Sequence, residues 1–131
     1  MPQAGSANHA PPAAPVVLPP GKRELVGFLV SYQSDPAGTF FPLYGGRNLV
    51  GRAGASDTLD IAINDPTTSS NHAAIVIESA TRAVHIEDLG STNGTFLNED
   101  ALGPQGRRDA RDSDRVRFGG YTLVLKVVYR P

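Results

Sequence analysis

The chain contains no cysteine among its 131 residues, and this absence excludes several kinds of site. Without thiols there is no disulfide framework, no thiolate zinc site and no cysteine nucleophile. The compartment stays undetermined on this criterion, because a protein without cysteine tolerates both oxidising and reducing surroundings.

Excess charge and long apolar runs are also missing. A formal net charge of −1 argues against a nucleic-acid partner bound through bulk electrostatics. No apolar run approaches the roughly 18 residues that a membrane-spanning helix needs, so we expect no membrane partner. The N-terminus has neither a basic leader nor an uninterrupted apolar stretch, which argues against a secretory signal. We therefore expect a soluble, cytoplasmic protein.

Proline is concentrated at one end of the chain. Residues 1–20 hold six prolines, many alanines and no charged side chain. Because proline fixes φ and removes a backbone donor, this stretch is expected to be extended and poorly ordered. The predicted organisation is a disordered arm or linker over residues 1–22 and a single domain over residues 23–131.

Short apolar or alternating runs fill the chain from Leu25 onward, separated by clusters of Gly, Pro, Asp, Asn and Ser. Strict alternation over residues 83–87 and 114–118 is typical of half-buried strands. No window keeps the helical period over three turns. Many short strands separated by turn signals predict an all-β sandwich or barrel.

Polar residues gather in three loops. The first is Gly51-Arg52, the second is "DPTTSSNHA" at 65–73, and the third is "DLGSTNGTF" at 88–96. Hydroxyls and amides both donate and accept hydrogen bonds, and arginine adds a planar fork of donors that never deprotonates. One arginine among several Ser, Thr and Asn residues is typical of a receptor for phosphate or carboxylate.

Other interpretations of these loops are a plain turn and a catalytic loop. Asn93-Gly94 is a strong hairpin signal, and we expect a turn there whose amide points outward. Ser69 or Ser70 with His72 suggests a hydrolase, but no G-x-S-x-G elbow is present, and hydroxyls two or three residues before a histidine on one strand face the wrong way.

A metal site built from His72, His85 and Asp88 would need its ligands at fixed geometry, and the sequence offers no such spacing. We therefore expect no enzyme activity, no metal and no cofactor.

Three short motifs, in this order, resemble the signature of the forkhead-associated (FHA) domain family. They are Gly51-Arg52, Ser69-x-x-His72, and Asp88-x-x-Ser91-Thr92-Asn93-Gly94-Thr95. The resemblance covers nearly everything outside the arm. It implies an SMAD/FHA-like β-sandwich of about eleven strands that binds phosphothreonine peptides through loops at one end, without catalysis.

The resemblance also implies roles for single residues. Arg52 and Ser69 would contact the phosphate, and Thr92 would contact it or order the loop that does. Asn93 would bind the peptide backbone, and Ser70 takes a neighbouring position where the family often has a ligand contact. The positions that would support the site are Gly51, where the chain is expected to turn beside Arg52, His72, which would brace the loop from behind, and Gly94.

Two functions of different classes follow. The first is an adaptor in Ser/Thr kinase signalling whose partner is a phosphothreonine-containing protein, a kinase or its substrate. The second is a scaffold or assembly domain of the same fold that binds without phosphate, for which the apolar run at residues 121–129 offers a surface.

Three segments depart from the family pattern or look irregular. Glu99-Asp100 follow Asn98 where the family often has Asn-Gly, so we expect the hairpin to end in a wider loop. Ser113 stands where a turn glycine is usual, and it needs an unfavourable φ or another turn type. Residues 107–117 alternate arginine and aspartate, and we expect a solvated strand pair there.

Overall fold

The computed structural model describes residues 17–131, so the arm predicted for residues 1–22 lies outside the described residues except for its last six. Eleven strands make up the regular structure of the described part. They are β1 Leu25–Ser31, β2 Thr39–Tyr44, β3 Gly46–Arg52, β4 Ile61–Ile63, β5 Ala73–Ile77, β6 Val84–Asp88, β7 Thr95–Leu97, β8 Asp100–Ala101, β9 Arg107–Ala110, β10 Arg115–Phe118 and β11 Tyr121–Val127. In residues 17–131 no helix is long and apolar enough to cross a bilayer.

The strands form two sheets. One has five strands in the order β9-β6-β5-β3-β4, and the other has six in the order β2-β1-β11-β10-β7-β8. Neighbours pair antiparallel except for β3 and β4, which run parallel. The predicted all-β sandwich of about eleven strands is confirmed.

Alternation of buried and exposed residues explains how the two sheets pack. Along β6 the side chains of Val84 and Ile86 are buried while His85 and Glu87 lie on the outer face, and β10 repeats this pattern. Burying an aliphatic or aromatic side chain contributes about 1.5–3 kcal/mol, so the inward faces hold the sheets together. The inward residues form one hydrophobic cluster, whose largest fully buried members are Phe118, Leu29, Leu43, Ile61, Ile63, Ile75, Ile77, Ile86, Leu123 and Leu125.

Both ends of the strand region are fastened at the β5–β6 turn. The guanidinium of Arg82, in that turn, contacts the carboxylate of Glu24 at 3.0 Å and donates to the carbonyl of Val128 at 2.7 Å. Arg130 adds a second contact to Glu24 at 2.6 Å. These contacts lie at the end of β6 opposite Asp88, which leaves the other end of the sandwich to the polar loops.

The hairpin between β7 and β8 is tighter than expected. The prediction of a wider loop after Asn98 is wrong, because Leu97 pairs with Asp100 and only Asn98 and Glu99 form the turn. Both have positive φ, 50° and 69°, as a type I′ turn requires. The irregular stretch lies later, at residues 102–106.

The predicted strand pair at residues 107–117 is also wrong. The segment does contain two strands, but β9 pairs with β6 in one sheet, whereas β10 lies between β11 and β7 in the other. The chain crosses between sheets at residues 111–114. Pairing partners here are set by distant residues, which local alternation does not reveal.

Ser113 adopts the unfavourable backbone expected for it, with φ of 72°. A left-handed conformation costs a residue with a Cβ about 1–2 kcal/mol, and glycine avoids this cost but loses about 0.5–1 kcal/mol through its freer unfolded chain. We therefore predict that Ser113→Gly stabilises the domain by about 0.5–1 kcal/mol, a rise of about 2–5 °C in Tm measured by thermal unfolding.

Ser113→Ala is the matched control. It also removes the hydroxyl that accepts a hydrogen bond from Lys126 at 2.7 Å, but it keeps the Cβ. It should give no increase in Tm. A Ser113→Gly variant no more stable than Ser113→Ala would show that the turn is not strained.

Candidate functional site

Strand register brings the three polar loops to one end of the sandwich. Arg52, the last residue of β3, pairs with Ile63, the last residue of the parallel strand β4. At the same end β5 begins at Ala73, which pairs with Asp88, the last residue of β6. The loops that leave or enter these strands therefore meet, although their motifs are widely separated in sequence.

Arg52 is held within this group of loops by hydroxyl and carbonyl oxygens. Its backbone N–H donates to the carbonyl of Ser69 at 3.0 Å. Its guanidinium donates to the carbonyl of Thr68 and to the hydroxyl of Ser70, each at 3.1 Å. No carboxylate of residues 17–131 forms a salt bridge with it. The guanidinium uses two of its five N–H groups, so a charged fork of donors remains for a ligand.

Ser69 and Thr92 are joined directly. The backbone N–H of Thr92 donates to the hydroxyl oxygen of Ser69 at 3.0 Å. Because that hydroxyl acts as an acceptor here, its own hydrogen is left to donate. Arg52 is bonded to the residues on both sides of Ser69, so the structure brings Arg52, Ser69, Ser70 and Thr92 together.

Asn93 is exposed, and its amide is oriented by a neighbouring loop. The side-chain nitrogen donates to the carbonyl of Thr67 at 2.9 Å. This contact leaves one amide N–H and the amide oxygen for other partners. The expected hairpin is absent, because β6 and β7, the strands on either side of this loop, lie in different sheets. Gly94 has a positive φ of 90°, whereas Asn93 does not. A Cβ at Gly94 would also lie 3.1 Å from the ring of Phe96.

His72 is fully buried and connects the second loop to the third. Its Nδ1 accepts the backbone N–H of Ser69 at 3.0 Å, so that nitrogen carries no proton. Nε2 therefore carries the proton of the neutral ring and donates it to the carbonyl of Gly94 at 2.9 Å. Burial lowers the pKa of His72, although the Gly94 carbonyl and the charge of Asp88 oppose the shift.

Asp88 organises the third loop from inside. Its buried carboxylate accepts hydrogen bonds from the hydroxyls of Ser91 at 2.5 Å and Thr95 at 2.8 Å, and from the backbone N–H of Gly90 at 2.9 Å. Burial alone would raise the pKa of Asp88, but these hydrogen bonds outweigh burial and lower it. The carboxylate therefore remains ionised and keeps the loop in one conformation.

Gly51 is needed for close packing and not for a turn. The expected turn beside Arg52 is absent, because β3 continues through Gly51 to Arg52. A Cβ built on Gly51 would lie 2.0 Å from the carbonyl oxygen of Ser70 and 2.7 Å from the side chain of Leu59. Glycine is therefore what allows the second loop to lie against β3.

Gly119 and Gly120 are part of the site but are not among the predicted site residues, and the support that Thr67 gives to Asn93 is not predicted either. The hydroxyl of Thr67 donates to Asp65 and accepts the backbone N–H of Gly120 at 2.7 Å. A Cβ at Gly119 would lie 2.3 Å from the carbonyl oxygen of Thr67. The Asp-Pro-Thr turn signal and the paired glycines were visible in the sequence, but neither indicated that they support Asn93.

Within residues 17–131 no three His, Cys, Asp or Glu side chains lie close enough together to hold a metal ion. His85, one of the residues weighed for such a site, contacts Glu87 at 3.1 Å on the outer face of the five-stranded sheet.

Protonation of His72 should destabilise the domain. The unfolded chain takes up this proton near the ordinary pKa of 6.5, whereas the folded chain does so only at lower pH. The unfolded state therefore binds more protons in that window, and stability falls as pH decreases below about 6.5, by at most about 1.4 kcal/mol per pH unit for one group. Urea unfolding between pH 5 and 7.5 measures this dependence.

His72→Gln should be less stable than wild type at pH 7.5, and this deficit should shrink as pH falls towards 5. An unchanged slope in His72→Gln would contradict the assignment of the buried neutral ring.

Comparisons with known proteins agree with this architecture. The sequence model of the FHA domain family matches residues 48–119. An FHA domain-containing protein of Arabidopsis thaliana, At4g14490, is 42% identical over 66 residues, which are 50% of this chain and 17% of that protein. Glycogen accumulation regulator GarA of Mycobacterium tuberculosis is 31% identical over 108 residues, which are 82% of this chain and 59% of that protein. The matches span less than two thirds of these relatives.

Solved structures give the same result. The FHA domain of the CT664 protein of Chlamydia trachomatis has a TM-score of 0.67 at 27% identity, covering 80% of this chain and 99% of that one. The FhaA FHA domain complexed with the intracellular domain of Rv3910 has a TM-score of 0.62 at 25% identity, covering 77% of this chain and 99% of that one. The family match covers more than half of the chain, and the chain belongs to the FHA domain family.

Proposed function

We propose that residues 23–131 form a cytoplasmic, non-enzymatic module that binds phosphothreonine in partner proteins, as an adaptor in Ser/Thr kinase signalling. The observation that carries this proposal is the environment of Arg52. Its guanidinium lies among hydroxyls and carbonyls, with no carboxylate of the described residues paired to it.

A phosphate monoester suits this environment. It carries a charge of about −1.5 to −2 and three acceptor oxygens. Arg52 supplies positive charge and the N–H groups that its contacts with Thr68 and Ser70 do not use. The hydroxyls of Ser69, Ser70 and Thr92 each supply one donor. A carboxylate ligand would satisfy fewer of these donors, because it has two oxygens instead of three.

Asn93 supplies the contact that distinguishes a peptide from free phosphate. The carbonyl of Thr67 orients the side-chain amide of Asn93. The second N–H and the oxygen of that amide then offer a donor and an acceptor on one planar group. An extended peptide backbone presents the complementary acceptor and donor. We propose that Asn93 binds the partner backbone next to the phosphothreonine.

The likeness to the FhaA FHA domain, which was solved bound to the intracellular domain of another protein, supports a protein partner. We propose that this partner is a Ser/Thr kinase or one of its substrates, because a phosphothreonine ligand requires such a kinase.

The alternative is a phosphate-independent scaffold, and the observation that favours it is the exposed aromatic surface beside β1 and β2. Phe40 is 68% exposed and Tyr32 is 65% exposed. In the run at residues 121–129, Tyr121, Leu123 and Leu125 of β11 point into the core, whereas Val128 and Tyr129 are exposed.

Calorimetric titration with matched phosphothreonine and threonine peptides separates the two functions. Wild type should bind the phosphorylated peptide at least a hundredfold more tightly, and Arg52→Ala should remove most of this difference. One charge-assisted hydrogen bond is worth about 1.5–3 kcal/mol, which corresponds to a tenfold to hundredfold loss, and Arg52 supplies more than one such bond.

Arg115→Ala is the matched control, because it removes an exposed guanidinium from β10 without touching the loops. It should bind both peptides as wild type does. Equal binding of the two peptides by wild type would overturn the proposal and favour the scaffold.

A further inference from the structure

Arg117 is an arginine near the loops that the proposed phosphate site does not use, and its side chain is held in one orientation. Its guanidinium carbon lies 3.8 Å from the centroid of the Phe96 ring. One Nη donates to the carbonyl of Gly119 at 2.7 Å. Its remaining partner is the carboxylate of Glu99, which accepts from Nε at 3.2 Å and from the other Nη at 2.9 Å.

This guanidinium lies beside the loop that carries Asn93. The backbone N–H of Gly119 donates to the carbonyl of Gly94 at 2.9 Å. The ring of Phe96 packs against Gly94, since a Cβ there would be 3.1 Å from ring carbons. Arg117 therefore shares two neighbours, Phe96 and Gly119, with Gly94, the residue that follows Asn93.

Glu99 holds its carboxylate against Arg117 from an unfavourable backbone position. Its φ is 69°, a conformation that suits glycine. The side chain is 49% exposed, and exposed ion pairs of this kind are weak. The carboxylate of Glu99 is therefore open to solvent, where another anion can compete with it for Arg117.

Two other exposed ion pairs lack these features. Arg108 approaches Asp100 only at 3.9 Å, and Lys126 approaches Asp112 at 3.6 Å. Neither cation lies on an aromatic ring among the described residues. If Glu99 moves away, Arg117 remains fixed by Phe96 and Gly119 and presents a planar fork suited to a carboxylate or phosphate.

We propose that Arg117 is a second anion-binding group of this domain, and that Glu99 occupies it until an acidic side chain of the partner peptide takes its place. This inference rests on the proposed phosphopeptide function and specifies its ligand further. The preferred ligand is a phosphothreonine peptide that also carries a carboxylate, or a second phosphate, within a few residues of the phosphothreonine.

The test is a set of phosphothreonine peptides in which a single glutamate is placed at each position from four residues before to four residues after the phosphothreonine. Each is paired with a peptide that has glutamine at the same position, and the measured quantity is the ratio of the two Kd values. At the position where the ratio is largest, a further peptide carries phosphoserine in place of glutamate. Its Kd shows whether the second group binds a phosphate or a carboxylate more tightly. Wild type should prefer glutamate at one or two positions by about threefold to tenfold.

Variants of Arg117 and of Glu99 should change this ratio in opposite directions. Arg117→Gln should bring it to one, whereas Glu99→Gln should increase it about threefold further because the competing carboxylate is gone. Glu99→Gly should act like Glu99→Gln, which separates loss of charge from relief of the strained φ. Arg115→Gln, with the same charge change two residues away on the same strand face, should keep the wild-type ratio.

Thermal unfolding of each variant identifies loss of folding, and Arg117→Lys replaces Arg117→Gln if the latter unfolds. It should reduce the preference, because lysine keeps the charge but loses the planar fork. A preference for glutamate that persists in the Arg117 variant, or that does not change in both Glu99 variants, would overturn the proposal.

Failure of the proposed function gives a different result. Binding that is independent of the threonine phosphate but selective for glutamate only when Arg117 is present would overturn phosphothreonine recognition and support the acidic subsite. No binding of any peptide by wild type would overturn both.

Discussion

The buried ring of His72 is the contact on which the geometry of the loops depends. It accepts a hydrogen bond from the backbone of Ser69, in a loop of the five-stranded sheet, and donates one to Gly94, which leads into the six-stranded sheet. Only the neutral ring with its proton on Nε2 satisfies both contacts. A residue that points into the core thereby sets the distance between the hydroxyl of Ser69 and the loop that carries Asn93.

The loops combine a fully satisfied interior with an unsatisfied outer surface. No buried side-chain nitrogen or oxygen in the described residues lacks a hydrogen-bond partner. The loop residues Arg52, Ser69 and Ser70, in contrast, keep spare donors, namely three N–H groups of the arginine and the hydroxyl hydrogens of the two serines. Because the interior contacts already hold these groups in place, a ligand needs to order few side chains, and less of its binding free energy is lost to ordering.

The sequence was sufficient for the fold class and for the residues that meet at the loops. Alternation along β6 and β10 reports burial directly, and the motifs containing Arg52, Ser69 and Asn93 occur in the order of the FHA signature. It was insufficient where the structure depends on long-range pairing. Nothing local shows that β9 and β10 belong to different sheets. The role of Thr67 was also missed, because its carbonyl oxygen, which every residue possesses, orients Asn93.

The loop end of this nearly neutral protein favours anions because of how its charges pair locally, and not because of its net charge. Arg23, Arg47 and Arg82 each face a carboxylate, so their charges are locally balanced. Arg52 faces only hydroxyl and carbonyl oxygens, which orient the guanidinium without neutralising it. Arg117 is intermediate, because the carboxylate that balances it is exposed and is attached to a strained turn. The positive potential at the loops therefore increases when Glu99 moves away, and an anionic partner both benefits from that change and favours it.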